Sequence, residues 1–109
     1  MTTASVPEPL SGYFASQNTH DVDGMLLAFA DEAVVKDEGQ EHHGALAIRQ
    51  WMESTIRKYR PVVEVIEVAV ADANISAVVS VAGTFPGSPI RLRYAFTLAQ
   101  RKIVRLVIG

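Results

Sequence analysis

The sequence predicts an α+β fold in which a curved antiparallel sheet wraps around three helices, all of them in the N-terminal half. Three observations carry this. Before Pro61, apolar residues recur at helical spacing in three stretches. After Pro61 they alternate with period two in four stretches joined by short turns. Helices first and a run of antiparallel strands afterwards is the α+β order.

Taken along the chain, Val6-Pro7-Glu8-Pro9 reads as an extended leader or a first helical turn, because proline fits the first helical position. From Glu8 to about Asn18, Leu10, Tyr13 and Phe14 define an apolar helix face, with Gln17 continuing the spacing. Asp21 then reads as an N-cap, and Val22, Met25, Leu26 and Phe29 mark a short second helix ending near Ala30. Ala33–Asp37 is a short strand, Glu38-Gly39 a turn, and Gln40–His43 the return strand. Gly44 opens a third helix to about Tyr59, with Ala45, Ile48, Trp51, Met52, Thr55, Ile56 and Tyr59 as its buried stripe. Pro61 stops it.

Four strands follow, at Val62–Ala71, Ile75–Phe85, Ile90–Leu98 and Ile103–Ile108, with turns at Asp72-Ala73-Asn74, Pro86-Gly87-Ser88-Pro89 and Gln100–Lys102. Ile75, Ala77, Val79 and Val81 form an apolar face, while the opposite face, Ser76, Val78, Ser80, Ala82 and Thr84, is small and only half polar. A sheet face of that kind packs well on a second copy of itself, so a homodimer through the outer sheet face is expected.

Composition narrows the function. At 109 residues the chain is expected to be a single domain over 1–109 with one core. Charged residues make up 20% and apolar residues 49%, which fits a globular domain rather than a disordered one. There is no cysteine, which excludes a disulfide framework, thiolate metal sites and thiol catalysis. No basic residue precedes Lys36, so neither a signal peptide nor a transit peptide is read, and no apolar run reaches membrane-spanning length. A soluble, cytoplasmic protein with no membrane partner is the expectation. The net charge of −2 hides an asymmetry, because residues 1–41 hold eight acidic residues against one basic and residues 42–109 nine basic against four acidic. The basic cluster Arg91, Arg93, Arg101, Lys102 and Arg105 has no interleaved aromatics on its outward side, so it reads as a solvated or interface face and nucleic-acid binding is not expected. His42 and His43, adjacent in a strand, point to opposite faces and cannot chelate one ion together, so no metal is expected. One of the two could rim a pocket near Asp37, but a solvated hairpin is the stronger reading. Nor is there a phosphate-binding glycine loop, a nucleophile elbow or a dinucleotide fingerprint, and no cofactor is expected.

The order of elements, with Tyr13, Ala15 and Asn18, then Asp21, Asp23 and Gly24, Phe29-Ala30-Asp31, Ala33, Val35 and Asp37, and Gly44, Ala47, Ile48 and Arg49, resembles the nuclear transport factor two-like superfamily. Its SnoaL-like polyketide cyclases and ketosteroid isomerases share this pattern. The resemblance spans nearly the whole chain and implies a cone-shaped cystatin-like fold with a pocket at its open end. It does not fix the substrate, because the superfamily holds isomerases, cyclases, dehydratases and non-catalytic binders.

Asp37 shares the inward face of its strand with Ala33 and Val35, where a carboxylate acquires a raised pKa and serves as a general base; the other reading is an ordinary turn residue before Glu38-Gly39. The nearest charges along the chain, Lys36 and Glu38, alternate to the other face. Similarity to ketosteroid isomerases places their proton-shuttling aspartate on Asp37 and their oxyanion-donating tyrosine on Tyr13, which on its own residues also reads as a core tyrosine. Those isomerases add a protonated aspartic acid. By alignment of Phe96 and the Arg101-Lys102 turn, that position falls at Tyr94, bulkier but still a donor. Trp51 and Met52 lie on the inward face of the long helix; only one can face a cavity centre fully, and Trp51 is favoured for its flat surface. The expected pocket residues are therefore Tyr94, Trp51, Phe96 and Phe14, around a catalytic Asp37 and Tyr13. A cofactor-free general acid–base enzyme, of isomerase, cyclase or dehydratase type, acting on a small apolar or carbonyl-bearing ligand is the leading reading. A non-catalytic ligand-binding or dimerisation module is the second. A catalytic pocket keeps a void beside Asp37, whereas a binder can fill it with side chains.

Overall fold

The computed structural model describes residues 6–109; residues 1–5, within the expected domain span, lie outside the described residues. The elements are α1 (Leu10–Asn18), α2 (Val22–Leu26), β1 (Phe29–Asp37), β2 (Gln40–His43), α3 (Gly44–Tyr59), β3 (Val62–Ala71), β4 (Asn74–Ala82), β5 (Ile90–Ala99) and β6 (Lys102–Ile108). All six strands form one curved, unclosed sheet in the order β2-β1-β6-β5-β4-β3. β3 to β6 make the expected antiparallel meander. The β1–β2 hairpin joins it through a parallel pairing of β1 with β6, with Val35 opposite Leu106. Irregularities between Val65 and Glu67 and between Thr97 and Leu98 interrupt the ladders, and such bulges add local twist and bend to a sheet.

The helices cover one sheet face. Ala33 and Val35 of β1, Ile75, Ala77, Val79 and Val81 of β4, Tyr94 and Phe96 of β5, and Ile103 and Leu106 of β6 are buried beneath them with Leu10, Tyr13, Phe14, Ile48 and Met52. α1 starts later than its spacing suggests. Leu10 and Ser11 donate to the Pro7 carbonyl, so Pro7–Pro9 forms a turn leading into the helix. Asp21 caps α2 as expected, accepting from the Gly24 amide at 3.1 Å. α2 stops at Leu26, and Phe29, expected at the end of that helix, instead begins β1 opposite Ile103, whose N–H donates to Ala28. β4 ends at Ala82 rather than at Phe85, so Gly83–Pro89 becomes a loop.

Two local devices set the helices on the sheet. Gly44 opens α3 with φ 85°, a backbone conformation that suits glycine. At the other end, Asn18 of α1 acts as a substitute strand for the exposed edge of β3. Its amide donates to the Val63 carbonyl at 3.0 Å, and its Oδ1 accepts from the Val63 N–H at 2.7 Å. Both backbone groups of an edge residue are thereby satisfied and α1 is tied across the open side of the sheet.

Candidate active site

Asp37 is the last residue of β1, on the same face as the buried Ala33 and Val35. The next two residues, Glu38 and Gly39, have φ 54° and 76°, and Asp37 pairs with Gln40 across them. Two left-handed residues in a two-residue loop match the right-handed twist of a hairpin. The tight turn has a second effect: it brings Glu38 back to the side of Asp37, where strand alternation alone had sent it the other way.

Between α3, the C-terminal part of α1, the loop after β4 and the inner face of the sheet lies a cavity of about 490 Å³. That volume is within the range that takes a drug-sized molecule. Tyr13, Asp37, Trp51 and Tyr94 all line it, together with Gln17, Met25, Glu38, Met52, Thr55, Tyr59 and Phe85. The void beside Asp37 is thus open, with Tyr13 on the same wall system. Tyr59 and Phe85 pack edge to face at 5.8 Å, and the Tyr59 hydroxyl donates to Glu38 at 3.2 Å. Gly83 sets Phe85 there. A side chain at 83 would meet the Tyr59 carbonyl oxygen at 2.5 Å, so only glycine lets the loop pass so close to the end of α3.

The electrostatics follow from burial and a few polar partners. The Trp51 indole N–H donates to Asp37 Oδ2 at 3.1 Å. Desolvation raises the Asp37 pKa, the Trp51 bond opposes it, and the neighbouring Glu38 carboxylate adds to the rise. The His42 ring lies 6.0 Å from the indole, and its positive charge when protonated also favours the ionised Asp37. Neither His42 nor His43 lines the cavity; His42 contacts Trp51, while His43 is exposed and bonds Glu41 at 3.0 Å. Burial drives the Tyr13 hydroxyl well above its ordinary pKa, helped by Tyr94 and Asp37. It pushes Tyr94 up to about 12, the neighbouring Gln17 amide working the other way. Both phenols therefore stay protonated at neutral pH and remain hydrogen-bond donors. Among the described residues, no three His, Asp or Glu side chains lie close enough to hold one metal ion, and no helix is long and apolar enough to cross a membrane.

Of the six residues singled out from the sequence, four meet at the cavity and two do not. Phe14 and Phe96 stack on each other at 5.9 Å and on Tyr13 at 5.3 and 6.0 Å, forming an aromatic layer that backs the cavity instead of lining it. Trp51, the one favoured from the sequence, lines the cavity, and so does its neighbour Met52. Sequence reasoning passed over Gln17 and Glu38. Gln17 had a signal, its place at i+4 from Tyr13 on the buried face of α1; Glu38 had none beyond its turn.

The SnoaL-like domain model matches residues 10–106. Among solved structures, a Sinorhizobium meliloti protein provisionally named a polyketide cyclase is 36% identical, with a TM-score of 0.92 over 95% of each chain. A Cytophaga hutchinsonii NTF2-like protein of unknown function is 12% identical, with a TM-score of 0.81 over 99% of this chain and 91% of that one. A Catenulispora acidiphila protein with a ketosteroid isomerase-like fold, solved with trimethylamine, is 15% identical, with a TM-score of 0.84 over 96% of this chain and 86% of that one. No curated protein matches the chain.

Proposed function

Since the chain belongs to the SnoaL-like domain family, we propose that it is a small-molecule pocket protein working as a general acid–base enzyme, of isomerase, cyclase or dehydratase type, on a carbonyl compound. The observation that carries this is the convergence of Asp37, Tyr13 and Tyr94 on one cavity of about 490 Å³. In this reading Asp37 removes a proton from the carbon next to the carbonyl. The electron pair of the broken C–H bond moves to the carbonyl oxygen, and the enolate is held by the Tyr13 and Tyr94 hydroxyls. Asp37, now protonated, returns the proton to the same or a neighbouring carbon. A carboxylate raised above its ordinary range is a stronger base than a solvated one, and a neutral phenol is the donor an oxyanion needs. Trp51 holds the Asp37 carboxylate against the cavity wall. The fold relative solved in complex with trimethylamine is consistent with small-ligand binding.

A structure of the protein with a bicyclic ketone, 2-tetralone, tests this. The carbonyl oxygen is expected within hydrogen-bond distance of Tyr13 and Tyr94, with an α-carbon against Asp37. A ketone bound the other way round, or only at the Tyr59–Phe85 end, would overturn the assignment of roles.

We also propose that the outer faces of β3 to β5 pair two copies. Ser76, Val78, Ser80 and Ala82 make a small-residue centre there, flanked by Glu64 and Glu67 on β3 and by Arg91 and Arg93 on β5, which suits a two-fold arrangement of opposite charges. Light scattering at micromolar concentration is expected to give twice the 11.9 kDa chain mass; the single-chain mass would contradict it.

A further inference from the structure

The charged side chains that line the cavity are both acidic, Asp37 and Glu38; among the described residues no lysine, arginine or histidine lines it. Five aromatic rings, those of Tyr13, Trp51, Tyr59, Phe85 and Tyr94, share the wall with them. Each carboxylate is held by one aromatic donor. The Trp51 indole donates to Asp37 Oδ2 at 3.1 Å, and the Tyr59 hydroxyl donates to Glu38 Oε1 at 3.2 Å. Among the described residues Asp37 Oδ1 and Glu38 Oε2 have no side-chain donor, and neither carboxylate is in an ion pair. Two basic side chains bear on this group without lining the cavity. His42 lies against the indole, and the exposed Lys58 holds its ammonium 5.0 Å from the centre of the Tyr59 ring. The second contact shows that the Tyr59 ring attracts a cation. A wall of aromatic rings and unpaired carboxylates draws positive charge on both counts. The two carboxylates also repel each other, which helps to raise the Asp37 pKa, and a cation beside them offsets that repulsion.

We propose that the cavity selects carbonyl compounds carrying an organic ammonium group close to the carbonyl, with Glu38 and the Tyr59 and Phe85 rings as the ammonium subsite. Glu38 follows Asp37 directly in the chain, so the positive nitrogen belongs next to the carbon that faces Asp37. Tyr59 has two parts in this: its hydroxyl fixes the Glu38 carboxylate, and its ring, packed edge to face on Phe85 at 5.8 Å, offers an aromatic surface to the cation. An anionic ligand meets two carboxylates and no compensating base in the lining, so it is turned away. The proposal rests on the cavity being a ligand site and names the class of ligand it takes; it does not depend on Asp37 acting as a base.

The chain has one tryptophan, and it lines the cavity, so Trp51 fluorescence reports occupancy directly. Three ketones of similar size separate the outcomes: phenacyltrimethylammonium, its neutral isostere neopentyl phenyl ketone, in which carbon replaces the charged nitrogen, and the anionic benzoylpropionate. Burial of apolar surface alone favours the neutral ketone. Wild type is expected to reverse that order and bind the ammonium ketone roughly tenfold more tightly than the isostere, with the anion weakest. Glu38→Gln keeps an acceptor for the Tyr59 hydroxyl and removes the charge. It should cut the preference for the ammonium ketone severalfold and leave the affinity for the isostere unchanged. The wild-type comparison stands by itself if that variant does not fold. Equal or tighter binding of the neutral or the anionic ketone in wild type, or a preference that Glu38→Gln leaves intact, would overturn the ammonium subsite and leave the general-base reading standing. Failure of all three ketones to quench Trp51 would overturn it together with the ligand-site reading. Loss of the acid–base reading alone would show only as absent proton exchange, with the charge preference intact.

Discussion

The indole N–H of Trp51 donates to Oδ2 of Asp37 across 3.1 Å, joining the middle of the long helix to the end of the first strand. This bond anchors the carboxylate and tempers a basicity that burial raises. It favours the ionised form against the desolvation that raises the pKa, so its loss should raise that pKa further. Trp51→Phe keeps an aromatic ring and removes the donor. Carboxyl-carbon NMR titration of Asp37 should move to higher pH in the variant; a lower or unchanged midpoint would mean that the indole does not act on the carboxylate.

Asp37→Asn should fold and be as stable as wild type at pH 7, or more so. The folded-state pKa of Asp37 is raised above its ordinary 3.8. The group therefore contributes its full stability below the unfolded value, and that contribution is lost as pH rises through the folded one. Asparagine never ionises and still offers Trp51 an acceptor. Its advantage should be absent in acid and appear above the folded pKa. Thermal unfolding at several pH values checks this. A midpoint several degrees lower at pH 7 would mark Asp37 as an ionised structural residue of the hairpin.

Tyr13 and Tyr94 face the same cavity, so each covers in part for the other. Tyr13→Phe should slow proton exchange in a bound ketone about tenfold, less than the 10²–10³-fold typical of a lone oxyanion donor. The double Phe variant should lose the larger amount. Equal, small effects in single and double variants would remove the phenols from the oxyanion site.

Asp37 was readable because strand alternation put it with Ala33 and Val35, and the burial of both bears that out. Tyr13 and Trp51 were readable from helical spacing. Phe14 and Phe96 lie outside the cavity lining, since an inward row says which side a residue faces and not how far along that side the void extends. Tyr94 borders the cavity, while Phe96, two residues on, lies behind Tyr13. Strand alternation misplaces Glu38 because it ends where a turn takes φ positive. The parallel pairing of β1 with β6 joins segments far apart in the chain and leaves no local pattern to read.

Deuterium incorporation beside the carbonyl of 2-tetralone in D₂O at neutral pH, followed by NMR, tests the central claim that Asp37 is the base. Wild type should accelerate exchange over buffer, and Asp37→Asn should lose that acceleration by at least ~10²-fold, the lower end of general-base effects. Exchange by Asp37→Asn at the wild-type rate, or by wild type no faster than in buffer, would contradict it.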